Sequence, residues 1–244
     1  LTINGECYSL DVNGDGLEDF YVGGAKNQSG VLYTQGANGT FTKVNTTAGA
    51  NEIQAEDQGA IFFDADGDAD LDLYVVSGGS DFPKDEPVLQ DRLYINNGKG
   101  EFTLAADALP KMISSGSVVA AQDYDKDGDM DLFVGGNYPY PTASYILQNN
   151  KGKFTDVTKS IAPDLMEIGM VSAGLWTDYN NDGDYDLILA GEWMPITIIE
   201  NNGGKFKNIT DQTGLKESTG WWNSLTGGDF DNDGDMDFVA GNFG

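Results

Sequence analysis

Asp64-Ala65-Asp66-Gly67-Asp68-Ala69-Asp70-Leu71-Asp72 places a carboxylate at every odd position of a nine-residue loop. Four other stretches repeat the pattern: Asp11, Asn13, Asp15, Asp19; Asp123, Asp125, Asp127, Asp131; Asp178, Asn180, Asp182, Asp186; and Asp229, Asp231, Asp233, Asp237. Loop positions 1, 3, 5 and 9 therefore carry a side-chain oxygen in all five copies. Merely solvated acidic turns would not keep one spacing five times. The first aspartates fall at 11, 64, 123, 178 and 229, a period of roughly 55 residues, within the range where internal repeats build propellers or solenoids.

Outward from each loop the pattern is that of a hairpin. A short apolar or small-residue run leads in: Cys7 to Leu10, Ala60 to Phe63, Val118 to Ala121, Gly174 to Trp176, Leu225 to Gly227. A second run follows position 9: Phe20 to Val22, Leu73 to Val76, Leu132 to Val134, Leu187 to Ala190, Phe238 to Ala240. These runs are too short for helices and rich in β-formers, so each loop is expected to be the turn between two strands. A second hairpin follows, with turns at Asn38-Gly39, Asn97-Gly98, Asn150 to Gly152 and Asn202-Gly203, residues that tolerate the positive φ of tight turns. Its strands are Leu93 to Ile95 with Phe102 to Leu104, Tyr145 to Leu147 with Phe154-Thr155, and Ile196 to Ile198 with Phe206 to Ile209. Four strands per repeat make a propeller blade, so the expected class is all-β, with the acidic loop in each blade's first hairpin.

Oxygen-only ligands on a tightly curled loop fit Ca²⁺, which takes six to eight oxygens at roughly 2.3–2.6 Å. Gly16, Gly128, Gly183 and Gly234 supply the sharp turn at position 6, and the backbone carbonyl of position 7 (Leu17, Asp70, Asp129, Asp184 or Asp235) joins the shell. Ala69 stands at position 6 of the second loop, where a positive φ costs about 1 kcal/mol or more over glycine, so that site is the weakest expected. An EF-hand is excluded because position 12 is Val22, Val75, Val134, Leu189 or Ala240 in strand-like sequence, where that motif needs Glu and flanking helices. Up to five Ca²⁺, one per loop, are expected in a structural role, since closed coordination leaves little room for substrate.

Composition narrows the function. The 244 residues carry a formal charge of −27, with 13 Lys and Arg against 40 Asp and Glu, which excludes generic affinity for nucleic acid phosphates. The chain has no histidine, which removes the commonest general base and the usual triads. Cys7 is the single cysteine and cannot form an internal disulfide. No apolar run approaches the ~20 residues of a membrane span. The opening without Met, inside strand-like sequence, reads as a mature or trimmed piece of a longer protein.

These units resemble the FG-GAP or VCBS-type repeats of integrin α-chain propellers and bacterial surface proteins, over essentially the whole chain. The signature Asp-x-[Asp/Asn]-x-Asp-Gly-x-x-Asp and the pairs Gly23-Gly24, Gly78-Gly79, Gly135-Gly136, Ala190-Gly191 and Ala240-Gly241 carry the resemblance. The integrin-type proline after those pairs is absent, which favours the bacterial, surface or secreted subgroup. The resemblance implies a ring of about seven blades. This chain would supply blades of about residues 1–50, 51–106, 107–161 and 162–212, and part of a fifth at 213–244.

If the calcium loops form one rim, a partner is expected on the other, where loops over a rigid scaffold collect binding residues. Candidates are Phe82-Pro83-Lys84, Tyr138 and Tyr140 within Tyr138-Pro139-Tyr140-Pro141, Trp193, and Trp221-Trp222 just before the innermost strand of the fifth unit. Such aromatics could stack on sugars or anchor a protein, or else pack between blades. The expected function is a non-catalytic extracellular or bacterial cell-surface or periplasmic scaffold for binding, adhesion or assembly, with a protein or glycan partner. The alternative is the propeller of a polysaccharide lyase or hydrolase, for which Glu56, Asp57 and Glu192 are scattered acids without a motif.

Overall fold

The structure is a computed structural model describing residues 10–44, 56–83, 85–137 and 143–243. Its strands form consecutive sheets, each ordered along the chain. The first joins β1 (Phe20–Val22), β2 (Val31–Gln35) and β3 (Phe41–Val44); the second joins β4 (Glu56–Phe63), β5 (Asp72–Gly78), β6 (Arg92–Asn96) and β7 (Phe102–Leu104). The third holds β8 (Gly116–Gln122), β9 (Asp131–Gly136), β10 (Tyr145–Asn150) and β11 (Lys153–Asp156). The last holds β12 (Met170–Thr177), β13 (Asp186–Met194), β14 (Thr197–Asn201) and β15 (Phe206–Asn208), and continues into β16 (Gly220–Gly228) and β17 (Asp237–Asn242). That continuation arises because the end of β13 turns to pair with β16, Glu192 opposite Trp221 and Met194 opposite Gly220.

In the second, third and fourth repeats the second strand of the first hairpin is the buried one. β5 and β9 are buried throughout, as is β13 from Asp186 to Gly191, which explains why Leu73-Tyr74-Val75-Val76 reads as an unbroken apolar run. Two compact units can be distinguished, residues 1–116 with 149–155, and 117–148 with 156–244. In the first, Val12, Leu32, Leu73, Val75, Tyr94 and Phe102 form the core. In the second, one cluster is built around Tyr124, Phe133, Trp176, Leu187 and Phe206, and another around Ile188, Ile198 and Leu225.

The first strand of the hairpin is longer than the sequence pattern indicates. β4, β12 and β16 begin several residues earlier, because a β-bulge interrupts alternation between Asp57 and Gly59, Val171 and Ala173, and Trp222 and Ser224. The bulged residues Gln58, Ser172 and Asn223 are polar, so the upstream segment looks like loop when only alternation is read. Trp221 and Trp222 consequently lie inside β16, not before it. Ile196 falls outside β14, which begins at Thr197. The turn expected at Asn150 to Gly152 is the two-residue Lys151-Gly152, with φ of 50° and 82°, since β10 runs on through Asn150. The run Cys7 to Leu10 is outside the described residues except for Leu10, which is not in a strand.

Candidate metal centres

Each acidic loop is wired by its own side chains before any metal is considered. Oδ2 of the first aspartate accepts the N–H of position 6 in all five: Asp11 from Gly16, Asp64 from Ala69, Asp123 from Gly128, Asp178 from Gly183, Asp229 from Gly234, at 2.7–3.1 Å. Position 5 in turn accepts the N–H of position 7 through Asp15, Asp68, Asp127, Asp182 and Asp233. Asx turns of this kind curl the backbone so that successive odd side chains face inward together.

Two positions per loop require a left-handed backbone. Position 6 does so at Gly16, Ala69, Gly128, Gly183 and Gly234, with φ of 72–97°. Position 4 does so as well, at Gly14, Gly67, Lys126, Asn181 and Asn232, with φ of 57–85°. The second requirement was legible as Gly or Asn at position 4 in four of five loops. Ala69, with φ 72°, holds the strained backbone anticipated from sequence. Ala69→Gly should stabilise the protein by about 0.5–1 kcal/mol, measured as a higher midpoint in urea; an unchanged or lower midpoint would show that the strain is not there.

Position 9 has a second task that spacing does not reveal. Its Oδ2 accepts the position 2 N–H in every loop: Asp19 from Val12, Asp72 from Ala65, Asp131 from Tyr124, Asp186 from Tyr179, Asp237 from Phe230. Its Oδ1 accepts a backbone N–H from the third strand, Gln35 to Asp19 (2.8 Å), Asn96 to Asp72 (2.8 Å) and Asn201 to Asp186 (2.7 Å). The carboxylate thus pins loop to sheet, and in the second and fifth loops it also stays beside the other candidate ligands.

A doubled asparagine supplies the next link. Asn96 Nδ2 donates to Val12 O (2.8 Å), Asn149 to Ala65 O (2.8 Å) and Asn201 to Tyr124 O (3.4 Å), each the position 2 carbonyl of the preceding loop. Their Oδ1 atoms accept the N–H of Gly100, Gly152 and Gly204. The turns expected from sequence use the second asparagine of each pair, Asn97, Asn150 and Asn202; the first, to which spacing assigns no role, is a clamp between repeats. Position 2 itself is a plug, as Tyr124 shows by packing 5.3 Å from Phe206 and stacking 6.0 Å from Trp176.

The oxygen groupings fit a cation. Carboxylate oxygens of Asp64, Asp66 and Asp72 approach within 4.8 Å of one another, as do those of Asp123, Asp125 and Asp127, and of Asp229, Asp231 and Asp237. Asn13 and Asn180 replace one carboxylate by an amide oxygen in the first and fourth loops. The sharpest test is Asp66, whose Oδ1 is buried and accepts no hydrogen bond, whereas Oδ1 of position 3 in the other four loops accepts the position 5 N–H. A buried, unpartnered carboxylate oxygen among other carboxylates is stable only if something positive satisfies it. The donor set is hard oxygen throughout, as Ca²⁺ prefers.

Protonation follows the same geometry. Burial pushes Asp72 and Asp186 up to about 6, against the opposing pull of their backbone N–H donors. Asp66 and Asp19 are raised for the same reason, while Asp11 is lowered because four loop N–H groups outweigh its desolvation. In the metal-free protein, the raised pair favours folding while protonated, and that stability is lost as pH rises from about 4 through about 6. A cation needs the ionised form, so calcium affinity should climb across this interval and level off above pH 7. Calorimetric titration at pH 5, 6 and 7.5 would show this, with proton release at the lower values; affinity falling toward neutral pH would contradict it.

The remaining candidates are placed as follows. The ring of Trp193 lies 5.3 Å from Trp221, and both are exposed. Trp222 does not join them: it packs against the Ile188 cluster and donates Nε1–H to Ser218 O. Tyr138, Tyr140 and Lys84 lie outside the described residues. Phe82 stands under Lys26, whose Nζ is 5.1 Å from its ring centroid. Asp57 is buried in an ion pair with Arg92 and accepts Tyr21 Oη–H and Gly24 N–H. Asp91, pushed up to about 7 by burial, accepts from Tyr74 Oη and Ser77 N. These two acids tie strands together.

Comparison with known proteins agrees with the repeat architecture. Residues 11–75, 85–134 and 178–240 match the FG-GAP-like repeat. Cartilage acidic protein 1 of Xenopus tropicalis is 26% identical over 193 residues, covering 75% of this chain and 28% of that protein; the mouse protein is 26% identical over 194 residues with the same coverage. The human protein is 26% identical over 190 residues, covering 73% of this chain and 27% of its own length. The chain therefore spans little more than a quarter of these relatives. An Agrocybe aegerita lectin that recognises non-reducing terminal N-acetylglucosamine superimposes with a TM-score of 0.54 at 20% identity, over 96% of this chain and 56% of the lectin, a likeness of fold. The sheets, the matched repeats and this likeness give an all-β, β-propeller fold class, and the chain belongs to the FG-GAP-like repeat family.

Proposed function

We propose that this chain is a segment of a calcium-stabilised, non-catalytic β-propeller that serves as an extracellular binding or adhesion scaffold. The observation that carries the reading is the common wiring of the five loops, in which the same oxygens are held at the same positions. Asp11 to Asp19, Asp64 to Asp72, Asp123 to Asp131, Asp178 to Asp186 and Asp229 to Asp237 would each hold one Ca²⁺, which supplies the positive charge that their clustered oxygens need. The second to fifth loops each close one end of a first hairpin, and within each sheet the opposite strand ends are left to partners. Repeats of about 55 residues would be the blades, four and a part of a fifth, in a larger ring.

Two facts support an extracellular setting. Weak calcium modules work at millimolar Ca²⁺, an extracellular concentration, and the relatives are named for an acidic protein of cartilage. The lectin likeness is consistent with a glycan partner. Incubating the parent protein with plant, bacterial and matrix polysaccharides, with binding and new reducing or unsaturated ends followed together, should give calcium-dependent retention without turnover. Sustained turnover would instead establish the lyase or hydrolase alternative.

A further inference from the structure

Lys126 occupies position 4 of the third loop, where the backbone is left-handed with φ 63°. The other four loops place Gly14, Gly67, Asn181 and Asn232 there, residues that hold a positive φ at least cost. The turn itself gives no reason for a lysine; the contact of its side chain does. Its Nζ reaches out of its own loop and donates to Asp184 Oδ1 at 2.7 Å, with Asp182 and Asp178 also within electrostatic range. All three acids belong to the fourth loop. Because position 4 is uncharged in the first, second and fourth loops, the second, third and fifth loops receive no such cation from the loop before them.

Asp184 holds the ammonium in place. It stands at position 7, and its Oδ2 accepts the Gly203 N–H at 2.9 Å from the turn of the same repeat's second hairpin. The two side chains remain 55% and 26% exposed, so the pair adds little to stability by itself. Its consequence is the charge it brings to the fourth loop.

That loop is neutralised from within at a second point. Asn180 replaces the position 3 carboxylate, accepts the Asp182 N–H at Oδ1 (3.0 Å) and donates from Nδ2 to Asp182 Oδ2 (2.9 Å). One candidate ligand carboxylate is therefore already served by an amide. The second loop is the opposite case, with Asp66 at position 3, a buried oxygen that accepts no hydrogen bond, and carboxylate oxygens within 4.8 Å of those of Asp64 and Asp72. Among the described residues, three-acid groupings of that kind occur in the second, third and fifth loops.

We propose that Lys126 is a tethered counter-cation that makes the fourth loop a weaker calcium site than the second, third and fifth, so that it fills later and empties earlier as calcium varies. The inference rests on the calcium-scaffold reading above and adds which loop responds to the calcium level. It reverses the order expected from Ala69, because backbone strain is present with and without the ion and cancels from the affinity, whereas a neighbouring charge acts on the bound ion alone. A unit positive charge close to a divalent ion in water-like surroundings lowers affinity by about three- to tenfold at low salt, and added salt screens the effect.

The test is calorimetric calcium titration of the parent protein and its variants at about 0.02 M and about 0.5 M salt. Lys126→Met removes the charge and keeps a side chain with the same left-handed strain. It should tighten one site about three- to tenfold at low salt, with a smaller gain at high salt. Lys126→Arg, which keeps the charge, should titrate like the parent. In an Asp182→Ala background, which removes a candidate ligand of the fourth loop, Lys126→Met should change nothing. No tightening in Lys126→Met, the same tightening in Lys126→Arg, or a gain that survives high salt or the loss of Asp182 would each overturn the proposal; the last would place the effect in the third loop. The two readings fail separately: a parent that takes up no calcium sinks the scaffold and this inference with it, whereas filled sites indifferent to Lys126→Met sink only this one.

Discussion

Removing calcium with EDTA should lower the melting temperature by about 5–25 °C. At millimolar Ca²⁺ and the weak affinities of extracellular modules, each site contributes about 0.4–1.4 kcal/mol. Five sites reach a few kcal/mol, a large share of the 5–15 kcal/mol that keeps a domain folded, and each kcal/mol moves Tm by about 2–4 °C at this size. The physical source is visible in the loops: clustered carboxylates within 4.8 Å of one another, and a buried Asp66 oxygen with no donor. Without a cation these repel, and the loops that close each first hairpin pull against the sheets they join. Differential scanning calorimetry in excess Ca²⁺, then after EDTA and readdition, measures the effect; superimposable melts would refute it.

Asp186→Ala should destabilise the protein even in EDTA, by about 2–6 kcal/mol, whereas Asp182→Ala should matter only when calcium is present. Both residues are candidate ligands, but their surroundings differ. Asp186 is fully buried and accepts the N–H groups of Tyr179 and Asn201, each of which would be left without an acceptor at about 1–3 kcal/mol. Asp182 is exposed and accepts the Asp184 N–H and the Asn180 side-chain amide, both within reach of water, so its removal costs about 0.5 kcal/mol or less without metal. Urea titrations of both variants, with and without Ca²⁺, separate the roles. Equal destabilisation of the two in EDTA would show that position 9 is a ligand and nothing more.

What the sequence disclosed and what it hid divide along physical lines. The hairpin strands after position 9 were legible because they are short and apolar, and β5 and β9 are buried on both faces; β1 also spans Phe20 to Val22 as the pattern indicates, with only Tyr21 buried. The early parts of β4, β12 and β16 were hidden because the bulges at Gln58, Ser172 and Asn223 break the period of two. Candidate ligands at positions 1, 3 and 5 could be named from side-chain type and spacing. The staple made by position 9 and the clamps made by Asn96, Asn149 and Asn201 were not, since they depend on which backbone groups lie next to them across the fold. Trp222 looked like a partner of Trp221, yet successive residues of a strand point to opposite faces, and Trp221 is the one that meets Trp193.

The central claim is that each acidic loop holds one structural calcium ion, and its most direct test is a count of bound metal. The calcium-equilibrated protein, freed of loose ion by gel filtration and analysed by elemental mass spectrometry and calorimetry, should carry five Ca²⁺ per chain. A variant with Asp64, Asp66 and Asp68 changed to alanine should carry four. A protein without bound calcium, or one whose count is unchanged when those three carboxylates are removed, would contradict the account.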